Sequence, residues 1–407
     1  MRICFVFDDY VSHSQKSGAQ MIHDMACHLV DKGHEVSLLA PAHWINKVCY
    51  NQRDGIKVYW FRCGKTKNVN KIRRAINETS LSLRAYLALS ALLKKDHYEL
   101  IVFYSPSIFW GPLVLYLKHL WKCPAYLILR DIFPQWVVDS GLLSKYSPFY
   151  WYFKLFEWIS YTVADRIGVL SPGNKEYFEK HFQKIKGKIE VLYNWAPTSK
   201  PNRTKGFWRE KLRLDGQVLF FFGGNIGHAQ DMMNIIRLAE HLKGRKDAHF
   251  LIVGEGDEVD LVRREVVSRK LDNITYHPGV PPSEYYGILD EVDIGLFSLH
   301  RGHRTHNVPG KLLGYMQFGV PILGSVNQGN DIREIIEKSQ AGFISVNGDD
   351  ESFQRNAITL LVDRKLREEM GANGRKLLME YFSVEKASKQ VLEIKKKTKE
   401  EFACLIQ

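Results

Sequence analysis

The chain lacks most of the short signatures that settle a protein's chemistry at once. Its six cysteines stand scattered at positions 4, 27, 49, 63, 123 and 404, with no C-x-x-C pair and no metal-ligand spacing. They read as buried thiols in a reducing compartment, not as a disulfide scaffold. There is no Asp-x-Asp, no H-E-x-x-H and no G-x-S-x-G, and the histidines do not fall at ligand spacing. These absences remove the usual zinc-hydrolase and serine-hydrolase readings. Long apolar runs are missing as well. The nearest, residues 108–117 (IFWGPLVLYL), is too short to span a bilayer and contains Gly and Pro. Met1 leads straight into RICFVF, which reads as a β-strand rather than a signal peptide.

What is present is the composition of a globular protein: 407 residues, 45% hydrophobic and 25% charged. That length exceeds one comfortable core, so two domains are expected. Positive charge is concentrated in the first half. Residues 1–200 carry 27 Lys and Arg against 16 Asp and Glu, whereas the remainder carries 30 against 29. The basic half therefore suits an anionic partner, and both nucleic acid and a phospholipid surface qualify.

Along the chain, strands and helices alternate. RICFVF, HEVSLLAP, GIKVYWFRC, YELIVFYSP, PAYLILRD, DRIGVLSP and KIEVLYN read as strands of the first half. Helices are expected over GAQMIHDMACHLVDKG, over residues 71–95 and near 110–121. The pattern restarts with QVLFFFGGNIG, then HFLIVGEG, NITYHPG, IGLFSL, PILGS and GFISV. Such alternation implies parallel sheets covered by helices on both faces. A polar, Pro-containing break, APTSKPNRTKG at 196–206, separates the halves. The expected architecture is α/β, with two doubly wound Rossmann-like domains, 1–196 and 207–383, facing across a cleft. Residues 384–407 are set apart as a C-terminal helix that crosses back to the first domain.

Three loops carry the candidate chemistry. Gly18, in Ser17-Gly18-Ala19-Gln20, opens the first helix and lets backbone approach a diphosphate; a plain strand-to-helix turn is the competing reading. Gly223-Gly224-Asn225-Ile226-Gly227-His228-Ala229-Gln230 is the matching loop of the second half, and it is not the dinucleotide fingerprint G-x-G-x-x-G. Residues 304–336 pair a basic, His-rich loop with Lys311 at a helix start, where backbone N–H groups and a cation converge on an anionic leaving group. A solvated loop is the bland alternative there. Arg130 and Asp131 end a buried strand, where strand C-termini point toward ligand; a structural Asp–Arg pair would look the same.

Taken in order, these motifs resemble the family 4 glycosyltransferases of GT-B fold over residues 1–382. Their V-P-S-K-x-x-E-Y-M-A-x-G-x-P-V pattern is matched by Val308, Pro309, Gly310, Lys311, Tyr315, Met316, Gly319, Pro321 and Ile322. G-N-I-G-x-A-Q and R-D-x-x-P resemble a subgroup that assembles bacterial O-antigen and capsule, including N-acetyl-L-fucosamine transferases. The resemblance implies a retaining, metal-independent transferase with no cofactor beyond its nucleotide-sugar co-substrate. It implies donor contacts from Gly18, Gly224, Asn225, Gly227, Gln230, Arg304, His306, Lys311 and Glu334, with Arg301 and His303 nearby. Asp131, Arg130 and Lys311 become the catalytic candidates. The chain departs from the family in three places. Arg130 replaces a His, the Arg and Lys after the second glycine loop are missing, and two motif glutamates fall on His306 and Gly314. Glu334 matches a family Glu, but a helix-dipole acid fits it equally. Asn194 is expected to order the interdomain turn.

Residues 144–163, SKYSPFYWYFKLFEWISYTV, are unusually aromatic. With the basic helix at 71–95 they suit the surface of an anionic leaflet, although a buried helix is the plainer reading. The expected partners are a UDP-sugar such as UDP-N-acetyl-L-fucosamine, an undecaprenyl-diphosphate-linked saccharide acceptor and the cytoplasmic face of the inner membrane, with no nucleic acid. An isomerase of the same fold (a nucleotide-sugar 2-epimerase) and a non-catalytic anion binder are the alternatives.

Overall fold

A computed structural model describes residues 1–11, 14, 17–66, 69–105, 107–139, 141, 143–200, 207–302 and 308–395. The chain divides into two compact units. One comprises residues 1–193 with the segment from Ala387 onward, the other residues 194–386.

The first unit is built on an eight-stranded sheet: β1 (Arg2–Val6), β2 (Glu35–Ala42), β3 (Cys49–Arg53), β4 (Ile56–Arg62), β5 (Leu100–Tyr104), β6 (Ala125–Ile128), β7 (Arg166–Val169) and β8 (Ile189–Val191), ordered β3-β4-β2-β1-β5-β6-β7-β8. The second holds six parallel strands: β9 (Val218–Gly223), β10 (Ala248–Val253), β11 (Ile274–His277), β12 (Ile294–Ser298), β13 (Ile322–Val326) and β14 (Gly342–Val346), ordered β11-β10-β9-β12-β13-β14. Central strands such as LIVFY of β5 and AHFLIV of β10 are buried at every position. Helices cover both faces of such a sheet, so apolar residues run on without alternating. Each large side chain so buried contributes roughly 1.5–3 kcal/mol.

Three sequence expectations need correction. The strand β3 was not foreseen; it pairs antiparallel with β4 through a two-residue turn in which Asp54 (φ 50°) and Gly55 (φ 79°) are both left-handed. That is a type I′ hairpin, and Asp-Gly is its usual sequence. The helix over 71–95 is two helices, Lys71–Thr79 and Leu81–Leu93. At the break the Ser80 hydroxyl donates to Asn77 O at 3.0 Å, competing with the helical backbone pattern. The cysteines are not uniformly buried: Cys4, Cys63 and Cys123 are, Cys27 is half-buried and Cys49 is exposed. The described part of the Pro-containing break packs within the second unit. Ala196 bridges Ser383, and Gln317 Nε2 donates to Pro197 O and Ser199 O at 2.8 and 2.6 Å.

The segment from Ala387 packs within the first unit. Gln390 Nε2 donates to Glu190 Oε1 and Val191 O at 3.0 and 2.8 Å, and Lys395 Nζ to Glu99 Oε1 at 2.6 Å.

Candidate functional site

Each sheet reverses its strand order once, and in such sheets ligands sit beyond the strand C-termini at that reversal. In the second unit the reversal falls between β9 and β12. The loops leaving those strands are joined there: His300 N–H donates to Ala229 O at 2.9 Å, and the His228 and His300 rings lie 4.7 Å apart.

Lys311 opens the helix Lys311–Phe318. Its Nζ sits 3.3 Å from the centroid of the Phe222 ring at the end of β9. A side chain on Gly224 would come within 4.0 Å of Lys311 Cε. The residue keeps some exposed surface, but its Nζ is shut off from solvent and has no hydrogen-bond partner. Burial alone pulls the ammonium pKa down to about 7. A buried, unpartnered ammonium on an aromatic face has one strong remaining interaction to make, with an anion.

The glycine loop is packed against the loop leaving β10. A Cβ on Gly254 would lie 1.8 Å from Gly224 O, and its φ of +155° is left-handed, so the position requires glycine. This packing uses two of the loop's N–H groups. Gly224 N–H already donates to Val253 O, and Ile226 N–H to Glu255 O, both at 2.9 Å. Among the described residues, the N–H groups of Asn225 and Gly227 are the ones in G-N-I-G left without a protein acceptor. Asn225 Nδ2 donates to Gln230 Oε1 at 2.8 Å, so those two side chains hold each other. A Cβ at Gly227 would meet Asp257 Oδ1 at 2.6 Å. The first turn of the Lys311 helix is likewise less free than expected. Leu312 and Leu313 N–H donate to Pro309 O and Gly310 O at 3.1 and 3.2 Å.

Sequence reasoning thus brings Gly224, Asn225, Gly227, Gln230 and Lys311 to one end of the second sheet. Glu334 is placed differently: it is exposed and paired with Lys338 one turn along its helix. Arg304 and His306, with His303, lie outside the described residues. Asn194 contacts the segment that precedes Lys311. Its Nδ2 donates to Val308 O at 3.2 Å, steadying the segment that delivers Lys311.

In the first unit the reversal falls between β1 and β5. Gly18 stands in the first turn of the helix Ser17–Asp31, where a Cβ would meet the Tyr104 hydroxyl at 2.9 Å. Tyr104 closes β5, and burial pushes its phenol up to about 12 while Arg130 pulls the other way. Arg130 is half-buried and donates to the carbonyls of Leu129, Gly168 and Tyr193, each at 3.3 Å. Burial lowers its guanidinium pKa to about 10, the group remaining charged at neutral pH. Asp131 is exposed, and its carbonyl accepts from Ser105 Oγ at 3.4 Å. Gly18, Tyr104, Arg130 and Asp131 therefore gather at one sheet end. Tyr104 was missed, although its place at the end of an all-apolar strand marks it.

The family described as Glycosyltransferase Family 4 matches residues 18–200, and that described as Glycosyl transferases group 1 matches residues 204–377. The chain is 27% identical over 227 residues to the probable glycosyltransferase WbjE of Pseudomonas aeruginosa. That stretch covers 53% of this chain and 54% of the relative, so the chain spans about half the length of the curated relative it matches. Among solved structures it is similar to Anabaena HepE in complex with UDP (14% identity, TM-score 0.69, 98% of this chain and all of that one). It is also similar to WaaG, a glycosyltransferase involved in lipopolysaccharide biosynthesis (14% identity, TM-score 0.67, 96% and 99%). At those identities the likeness is one of fold. The chain joins a glycosyltransferase family 4 domain to a glycosyl transferases group 1 domain on the two-domain GT-B fold.

Proposed function

We propose that the protein is a retaining glycosyltransferase that moves a sugar, an N-acetylhexosamine such as N-acetyl-L-fucosamine, from a UDP-sugar to a lipid-diphosphate-linked saccharide in surface-polysaccharide assembly. The observation that carries this reading is the Lys311 ammonium, buried and unpartnered against Phe222 beside a glycine loop with two unused N–H groups. A diphosphate supplies the missing counter-charge, and the cation stabilises the charge that grows as the anomeric C–O bond to phosphate breaks. The acceptor hydroxyl forms its bond to the anomeric carbon on the face the diphosphate leaves. Its proton passes to a phosphate oxygen, so no metal or added base is needed. Asp131 orients that hydroxyl, and Arg130 holds the sheet end that presents Asp131. The complex of Anabaena HepE with UDP and the involvement of WaaG in lipopolysaccharide biosynthesis favour this substrate class.

The acceptor's lipid calls for a membrane surface. No helix among the described residues is long and apolar enough to cross a bilayer. The helix Pro148–Val163 nevertheless exposes Phe149, Trp151 and Trp158, the two tryptophans at 66% and 58%. Tyr152 of that helix donates to Thr79 Oγ1 at 2.7 Å, joining it to the helix that carries exposed Arg73 and Arg74. Exposed indole rings on one helix and arginines on its neighbour suit the headgroup layer of an anionic leaflet, and this reading places the protein at the cytoplasmic face. The test is transfer from radiolabelled UDP-, GDP-, TDP- and ADP-sugars to membrane lipid extracts, with product anomers assigned by NMR. Retained configuration on a lipid-linked product from a UDP-sugar is expected. Epimerised free donor without acceptor, or no transfer from any donor, overturns the proposal.

A further inference from the structure

A second cluster of reactive side chains lies in the first unit. His23 and Cys27 stand one turn apart on the helix Ser17–Asp31, so both project from the same face. Asp54 is the first central residue of the β3–β4 turn. His23 Nε2 is 3.5 Å from Cys27 Sγ and 3.3 Å from Asp54 Oδ2, and the three atoms lie within 4.8 Å of one another. A tetrahedral zinc ion with ordinary bond lengths holds N and S about 3.6 Å apart and N and O about 3.3 Å apart. Two of the three edges are therefore already near zinc-like lengths. The third closes by a swing of Asp54, whose side chain is 56% exposed on a two-residue turn.

The other ring nitrogen is fixed. The Tyr10 hydroxyl lies 2.8 Å from His23 Nδ1, and by accepting from Nδ1–H it leaves the Nε2 lone pair aimed at the thiol and the carboxylate. A ligating histidine is typically steered in this way through its second nitrogen. Burial first, and then the carboxylates of Asp54, Asp24 and Asp31, push the thiol up to about 12 against the pull of Arg53, so the free site holds a neutral thiol. Arg53 Nε rests 3.3 Å from Asp54 Oδ2, the place a divalent ion would take over. Burial keeps the imidazole pKa below its usual value, so the ring is neutral and ready to ligate.

We propose that His23, Cys27 and Asp54 form a zinc site, with water as fourth ligand, that clamps the first helix to the β3–β4 hairpin. One thiolate, one imidazole and one carboxylate are a borderline-soft set suited to zinc. Binding exchanges the thiol proton for the metal: Zn²⁺ takes the sulfur lone pair and one H⁺ is released to solvent.

The experiment titrates the reduced, chelator-treated full chain with Co²⁺ and then Zn²⁺. One equivalent of Co²⁺ is expected to give a thiolate-to-metal charge-transfer band and tetrahedral d–d bands, both displaced by Zn²⁺ with release of one proton. Cys27→Ser is expected to abolish the charge-transfer band. Asp54→Asn, which keeps a residue tolerant of the left-handed turn, is expected to weaken Zn²⁺ binding at least about tenfold. Cys49→Ser, removing the exposed thiol, is expected to leave both unchanged. A charge-transfer band that survives Cys27→Ser, or Zn²⁺ affinity that Asp54→Asn leaves untouched, overturns the site. So does the absence of stoichiometric Co²⁺ binding.

Discussion

Replacing Lys311 by methionine tests the reading of the second-unit site most directly. The substitution keeps a long flexible side chain against Phe222 and removes the charge. In the folded protein burial lowers the lysine pKa from 10.5 to about 7. The unfolded chain therefore binds the proton more tightly, and the native state is disfavoured wherever the unfolded lysine is charged. Stability of the free protein rises with pH between about 7 and 10.5, and the full deficit applies below that window. A shift of this size corresponds to roughly 5 kcal/mol below pH 6 and on the order of 3 kcal/mol at pH 8. Lys311→Met is expected to recover that amount, with the gain fading toward pH 10.5. The two units need not melt together, so the readout is urea unfolding followed by amide hydrogen exchange of the buried second-unit strands β9 and β10. UDP binding is expected to move oppositely. Wild type should take up a proton on binding, its affinity falling about tenfold per pH unit above pH 7. Lys311→Met should bind weakly and without that dependence. A variant destabilised at every pH, or a wild-type affinity flat from pH 7 to 9, would refute the reasoning.

Other consequences can be measured independently. Gly254→Ala drives a Cβ to 1.8 Å from Gly224 O and is expected to destabilise the second unit by about 3 kcal/mol in the same urea experiment. Tyr315→Phe removes a buried hydroxyl that lies 3.0 and 2.9 Å from the carbonyls of Phe221 and Leu296; a loss of about 1 kcal/mol is expected. Asp131→Asn, at an exposed position, should leave stability within about 0.5 kcal/mol while lowering sugar transfer roughly 100-fold or more. Trp151→Glu combined with Trp158→Glu should abolish co-sedimentation with vesicles containing anionic lipid and leave UDP binding unchanged; retained sedimentation would count against the membrane reading.

The fold was largely legible because parallel strands buried on both faces advertise themselves as apolar runs, as in YELIVFYSP and HFLIVGEG. The hairpin strand β3 was not, since CYNQR is exposed at every position and has no apolar pattern. The Asp54-Gly55 pair was the available signal. At the site, Gly224 and Lys311 were legible from glycine and cation placement at a strand–loop–helix junction. The spent N–H groups of Gly224 and Ile226 were not, because they depend on how the β9 and β10 loops pack. Glu334 followed from motif register alone, and register cannot say whether an i+4 lysine will claim the carboxylate. The His23–Cys27–Asp54 cluster escaped because two strands, β2 and β3, separate Asp54 from the other two residues in the chain.

The same hairpin has a consequence for solubility. A sheet with an open, apolar edge invites further strands to add to it. Here the β3 edge is a short, polar, fully exposed strand, a poor template for that addition. At the opposite edge, Gln390 occupies the Val191 carbonyl of β8. Truncation before Ala387 would uncover that carbonyl, so the shortened chain should self-associate through β8 while its second unit stays folded.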